Sequence, residues 1–197
     1  MPKQKQFDRE DVLTQAMELF WKQGYEATSM QDLVGVTGIN RASMYATFGD
    51  KHAFFLAAVD HYIATVSASR LIRLQQPGSP RAALNSFFDD LIAFSCGDAR
   101  RLGCLLTNSA IEMAPRDADI DSRLSATFQR LEDAFYDNLL RAQKAGEIAN
   151  GRDLRATARL LTGTVQGVRV LARANSSEST LRDIADEALR TIGPKYH

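Results

Sequence analysis

A chain of 197 residues accommodates one large or two small domains, and its 45% hydrophobic content is enough to bury a core. Lysine plus arginine equals aspartate plus glutamate at 24 each, so no whole-molecule field draws in a polyanion, and contact with one needs locally placed cations. The charged stretch from Met1 to Asp11 and the lack of a long apolar run lead us to expect no signal peptide, no membrane span and a cytoplasmic protein. Cys96 and Cys104 are too few for a disulfide scaffold or a zinc site and are expected as reduced thiols.

From Asp8 to Gly24 the apolar residues Val12, Leu13, Ala16, Met17, Leu19 and Phe20 form the stripe of an amphipathic helix. Asp8 is its cap, Phe7 and Val12 its hydrophobic staple, and Gly24 its stop. Thr28-Ser29-Met30-Gln31 has capping-box spacing, with Thr28 as cap and Gln31 reaching back, and predicts a short helix to about Gly35. After Gly38, Asn40 caps a third helix carrying Ala42, Met44 and Tyr45, which Phe48-Gly49 ends. Two short helices about a glycine-bearing turn have the form of a helix-turn-helix. Asp50 caps a long segment from Lys51 to about Leu74, and Pro77-Gly78-Ser79-Pro80 breaks the chain. Further helices are expected at Arg81–Ser95, Ala99–Met113, Ile120–Ala145, Leu154–Ala174 and Thr180–Ile192. No alternating run indicates a strand, so the fold is expected to be all-α, with residues 1–50 as a head and 51–197 as a second helical domain.

The run Ala16, Leu19, Phe20, Gly24, Tyr25, Thr28, followed by Gly38, Tyr45, Phe48, Gly49 and Lys51, resembles the DNA-binding head of the tetracycline-repressor (TetR) family from Phe7 to about Leu56. Each residue is also chemically suited to a nucleic-acid contact. Thr28 stands at a helix N-terminus, where free amides and the helix dipole favour a phosphate. Arg41 carries the fork that matches guanine O6 and N7 in a major groove, with Asn40 and Ser43 as polar neighbours. The resemblance implies that Tyr45 and Lys51 clamp backbone phosphates; read singly, Tyr45 is equally a core aromatic and Lys51 a solvated charge. Residues 1–52 hold six basic groups (Lys3, Lys5, Arg9, Lys22, Arg41, Lys51) against seven acidic ones, so placement must do what net charge does not. The family often has serine and glycine where this chain has Asn40 and Ala42, which bears on the operator sequence and not on the binding mode.

Family resemblance further implies that the segment after Lys51 binds a small-molecule effector and that the last two long helices pair across a two-fold axis into a homodimer. Gly163 and Gly167, with Thr162 and Thr164, allow such close helix approach. Phe87, Phe88, Phe94, Phe128, Phe135 and Tyr136 fit either a filled core or an apolar pocket. Asn108, Glu112, Gln166 and Arg169 are candidates for orienting a ligand. Gly103-Cys104-Leu105-Leu106-Thr107-Asn108 resembles a stretch of family members that respond to electrophiles or oxidants. Arg100 and Arg101 would then favour the Cys104 thiolate; the alternative is a small buried hydrophobe.

An enzyme finds no support in the chain, which lacks a nucleophile elbow, a His-Glu-x-x-His pair or a phosphate loop. Neither a cofactor nor a metal is expected, since His52 and His61 do not share a helix face and His197 is remote. The expected function is an effector-responsive repressor that binds double-stranded, near-palindromic operator DNA, the alternative being a helical protein-interaction module.

Overall fold

The computed structural model describes residues 7–97 and 102–193. Among these residues there is no strand, as the absence of alternation predicts. Helix α1 (Arg9–Gln23) starts where the Asp8 carboxylate accepts the Glu10 amide at 2.8 Å, and ends at Gly24, whose φ of 86° no side-chain-bearing residue adopts easily. It buries Val12, Leu13, Ala16, Met17, Phe20 and Trp21.

Helix α2 (Met30–Thr37) and helix α3 (Arg41–Phe48) follow, joined through Gly38 in the left-handed conformation. The capping box of α2 lies one residue later than its expected position at Thr28 and Gln31. Ser29 accepts the Asp32 amide at 3.1 Å, and the Asp32 carboxylate accepts the Ser29 amide at 2.8 Å and hydroxyl at 2.6 Å. An ionised carboxylate suits a helix N-terminus better than the neutral amide of Gln31, and the Thr28 hydroxyl donates to the Gly24 carbonyl instead, so both favour the later register. Asn40 caps α3 as expected, its Oδ1 accepting the Ser43 amide at 2.9 Å.

The long segment after Asp50 is helical throughout but not uniformly so. Helix α4 (Lys51–Tyr62) passes through a π-helical turn at Ile63–Ser67 into helix α5 (Ala68–Leu74). Helix α6 (Pro80–Cys96) has Ser79 as cap and Pro80 in its first turn. Of the expected helix Ala99–Met113, residues 99–101 lie outside the described residues, and among the rest helix α7 spans Leu105–Glu112. Gly103, at φ 67°, turns the chain just before it, and Cys104 is its extended N-cap. Helices α8 (Ala118–Lys144), α9 (Leu154–Arg173) and α10 (Glu178–Arg190) complete the chain, α10 being capped by Ser177 and not starting at Thr180.

Two apolar clusters organise these helices. The first joins α1–α4 to Cys104, Leu105, Leu106, Met113, Ile120 and Leu124, so the helix-turn-helix head shares its core with α7 and the start of α8. The second runs from Leu74 to Ile192 and centres on Phe87, Phe88 and Phe135, with Phe87 edge-on to Phe135 and Phe88 stacked on it. The aromatic-rich middle helices thus build core, except Phe94, Phe128 and Tyr136, which are only partly buried. No helix among the described residues is long and apolar enough to cross a membrane.

Candidate functional site

Helix α3 packs inward through Met44 and Phe48, which leaves Arg41 and Tyr45, one turn apart, on its exposed face. The Arg41 guanidinium lies 5.6 Å from the Tyr45 ring centre and donates to its hydroxyl at 3.4 Å. With 42% exposure, Tyr45 is a surface group and not a core aromatic. Asn40 is exposed beside them and Ser43 is half-buried. Lys51, at the start of α4, stands over the Tyr25 ring at 4.3 Å and donates to the Glu26 carbonyl at 3.4 Å. Thr28 is fully buried, and its hydroxyl donates to the Gly24 carbonyl at 2.7 Å. It therefore neither caps α2 nor presents its hydroxyl to solvent; it fixes the turn between α1 and α2. Lys3 and Lys5 lie outside the described residues.

A second polar constellation surrounds Cys104. Its sulfur receives Nη1 of Arg169 from α9 at 3.2 Å and the hydroxyl of Tyr62 from α4 at 3.5 Å. Thr107 also hydrogen-bonds it, while donating its hydroxyl to Gln166 Oε1 at 2.6 Å. Burial pushes the Cys104 thiol up, but the Arg169 charge and the bonds from Thr107 and Tyr62 outweigh it and leave the thiol below its ordinary value. Burial raises the Tyr62 phenol, which stays a neutral donor. Arg100 and Arg101 lie outside the described residues; among the described residues it is Arg169 that reaches the sulfur. No local signal in the sequence points to Tyr62 or Thr107, since the Tyr62 contact spans 42 residues and no periodicity reaches it.

The remaining candidates serve other ends. Asn108 donates to the Leu102 carbonyl at 2.8 Å and holds the loop before α7. Glu112 does not face the thiol: its carboxylate accepts the amides of Tyr25 at 3.1 Å and Glu26 at 2.9 Å. A Cβ at Gly24 would meet a Glu112 oxygen at 2.9 Å, so the last residue of α7 is seated against the turn that enters α2. His52 pairs with Asp117 at 2.7 Å, and Asp119 lies close by. His61 is elsewhere, with its Nε2 2.9 Å from the Thr14 hydroxyl.

The architecture defines a class: a helix-turn-helix DNA-binding regulator whose head is built into a larger helical domain. The profile described as "Bacterial regulatory proteins, tetR family" matches residues 12–58, and "Tetracyclin repressor-like, C-terminal domain" matches residues 80–188. An uncharacterized HTH-type transcriptional regulator, YezE of Bacillus subtilis, is 37% identical over 98% of this chain and 100% of its own length. The HTH-type transcriptional repressor ComR of Escherichia coli is 33% identical over 94% of this chain and 89% of its own. A cysteine mutant of the TetR-family regulator CifR, solved with 26 bp operator DNA, superposes with a TM-score of 0.85 at 27% identity, covering 95% of this chain and 98% of that one. The chain belongs to the TetR family of transcriptional regulators, a family of DNA-binding proteins and not of enzymes.

Proposed function

We propose that the protein is a homodimeric repressor that binds a near-palindromic operator and releases it when Cys104 is modified by a thiol-reactive inducer. Residues 1–50 read the DNA, and residues 51–197 sense and dimerise. Two α3 helices enter successive major grooves about 34–36 Å apart. Arg41 reads bases there, flanked by Asn40 and Ser43, while Tyr45 and Lys51 hold phosphates. The buried hydroxyl of Thr28 leaves it the task of setting the turn from which α2 starts.

Dimerisation through α9 and α10 is supported by the face they leave uncovered. Leu160 and Val170 are exposed large apolar groups, and a Cβ at Gly163 or Gly167 would meet nothing within 4 Å. Leu160 and Thr164 of α9 line a shallow groove with Ile184, Ala188 and Thr191 from α10 and the residue after it.

The single observation that carries the sensing mechanism is the position of α7. Its N-cap is Cys104 and its last residue is Glu112, which holds the amides of Tyr25 and Glu26. Eight residues at 1.5 Å make a rod of about 12 Å between the thiol and the turn that enters α2. When the Cys104 thiolate attacks an electrophilic alkene, an S–C bond forms and the π pair takes up the proton the thiol released. The adduct adds volume to a site with no room, the thiol being 1% exposed, and so displaces α7 and the turn it seats. The test is a gel-shift titration with N-ethylmaleimide. Wild type loses the operator and Cys104→Ser keeps it; equal release from both overturns the thiol mechanism.

A further inference from the structure

The π-helical turn at Ile63–Ser67 sits in the connection between the DNA-reading head and the second core, and a cleft of about 480 Å³ opens against it. That volume is within the range of small-molecule sites. Its walls are Thr65 and Val66 of the turn, Ser69, Arg70 and Arg73 of α5, and Phe87, Asp90, Leu91 and Phe94 of α6. π-turns recur at functional sites because the extra residue loosens the backbone ladder.

The charges in this cleft are unequally matched. Arg73 is ion-paired with Asp90. Thr65 and Ser69 turn their hydroxyl protons back to the carbonyls of His61 and Val66. Arg70, half-buried, has its guanidinium 4.5 Å from the Phe94 ring centre and no carboxylate partner among the described residues. A planar fork of five N–H donors lying on an aromatic face is prepared for a planar, bidentate acceptor. Val66, Phe87, Leu91 and Phe94 offer apolar walls for an unsaturated or aromatic body. Asp90 at the same cleft disfavours a second negative charge, which separates a carboxylate from a phosphate monoester.

We propose that this cleft is a ligand site for a monoanionic, planar unsaturated carboxylate, with Arg70 as its counter-ion and Val66, Phe87 and Leu91 as apolar walls for its body. As an effector site it rests on the reading of residues 51–197 as a sensing domain. It is a reversible site distinct from the covalent one, yet physically joined to it. Phe94 stacks on Trp21 at 6.0 Å, Trp21 meets Tyr62 edge-on at 5.1 Å, and Tyr62 bonds the Cys104 sulfur. A ligand that prefers the cleft with the π-turn relaxed to α would shift the register of α4 by one residue, about 100° of rotation, and carry the reader with it.

Trp21 is the one tryptophan of the chain and stacks on Phe94, which carries the Arg70 guanidinium at the cleft, so it reports occupancy without DNA. The probe is trans-cinnamate, with trans-cinnamamide as its neutral isostere, titrated by calorimetry and Trp21 fluorescence against wild type, Cys104→Ser, Arg70→Gln and Arg70→Lys. The expected result is saturable binding of cinnamate by wild type and Cys104→Ser alike. Arg70→Gln and the amide each weaken it about tenfold or more, and Arg70→Lys, which keeps charge but not the fork, weakens it less. No saturable binding, or equal binding by Arg70→Gln, overturns the site. Arg70-dependent binding that leaves operator affinity unchanged upholds the ligand assignment and overturns its role as effector. Loss of binding in Cys104→Ser refutes the independence of the two sites.

Discussion

Replacing Glu112 by alanine tests whether α7 transmits a signal or only packs. The carboxylate accepts two backbone amides, from Tyr25 and Glu26. A hydrogen bond to a charged group contributes about 1.5–3 kcal/mol when sheltered. Glu112 is half-buried and Glu26 exposed, so water replaces part of what is lost, and we expect about 1–3 kcal/mol of destabilisation in total. In a domain of this size each kcal/mol moves Tm by about 2–4 °C, a shift of several degrees at fixed protein concentration. The functional consequence is separate. Coupling between an effector site and a binding site typically changes affinity about 5–150-fold. In wild type, N-ethylmaleimide should weaken operator binding by a factor in that range, read by fluorescence anisotropy. In Glu112→Ala the unmodified protein should still bind operator, while modification changes its affinity by less than about threefold. Undiminished release from a folded Glu112→Ala variant would refute the rod.

Arg41→Ala should abolish preference for operator over random DNA, whereas Lys51→Ala, which removes one phosphate contact from each protomer of the dimer, should weaken both alike and lower the salt slope by about two, measured by anisotropy across a salt series. Ser29→Ala should cost about 1 kcal/mol of stability in denaturant titrations at neutral pH. The bond from the Ser29 hydroxyl, then that from its amide, hold the Asp32 carboxyl below its ordinary 3.8. Its contribution is therefore present above that value and lost as pH falls through the lower, folded one, so the cost of Ser29→Ala should shrink in acid. The lowered Cys104 thiol should make operator release by N-ethylmaleimide accelerate with pH and level off below the ordinary 9.0. A profile still rising through that pH would contradict the Arg169 contact. Leu160→Glu, placing a charge on the uncovered α9 face, should yield a monomer by light scattering with operator binding lost.

Much of the head was legible because its signals are local. Asp8, Asn40 and Asp50 cap the helices they were expected to cap, and the apolar stripe of α1 is the buried face. The errors arose where two local signals overlapped. Thr28-x-x-Gln31 and Ser29-x-x-Asp32 interleave; the Asp32 carboxylate favours the second, and the tertiary burial of Thr28, whose hydroxyl donates to the Gly24 carbonyl, removes the first. The helical pattern makes Gly103 one more residue of a helix, whereas its positive φ ends the approach to α7 and brings the backbone against Arg173 and Asn108. The polar site is half visible: the resemblance of its stretch points to Cys104, residue type points to Gln166 and Arg169, and the fold brings Arg169 to the thiol and Gln166 to its neighbour Thr107. Glu112 was a candidate for a different task, because its partners lie 87 and 86 residues away and no spacing rule reaches that far.

If α3 reads DNA sequence through Arg41, an anisotropy titration against the intergenic DNA upstream of the protein's own gene, with random DNA of equal length as competitor and Arg41→Ala alongside, should show tight, competitor-resistant binding by wild type that Arg41→Ala reduces to the random-DNA level. Equal retention of both DNAs by wild type, or undiminished operator preference in Arg41→Ala, would contradict that role for Arg41.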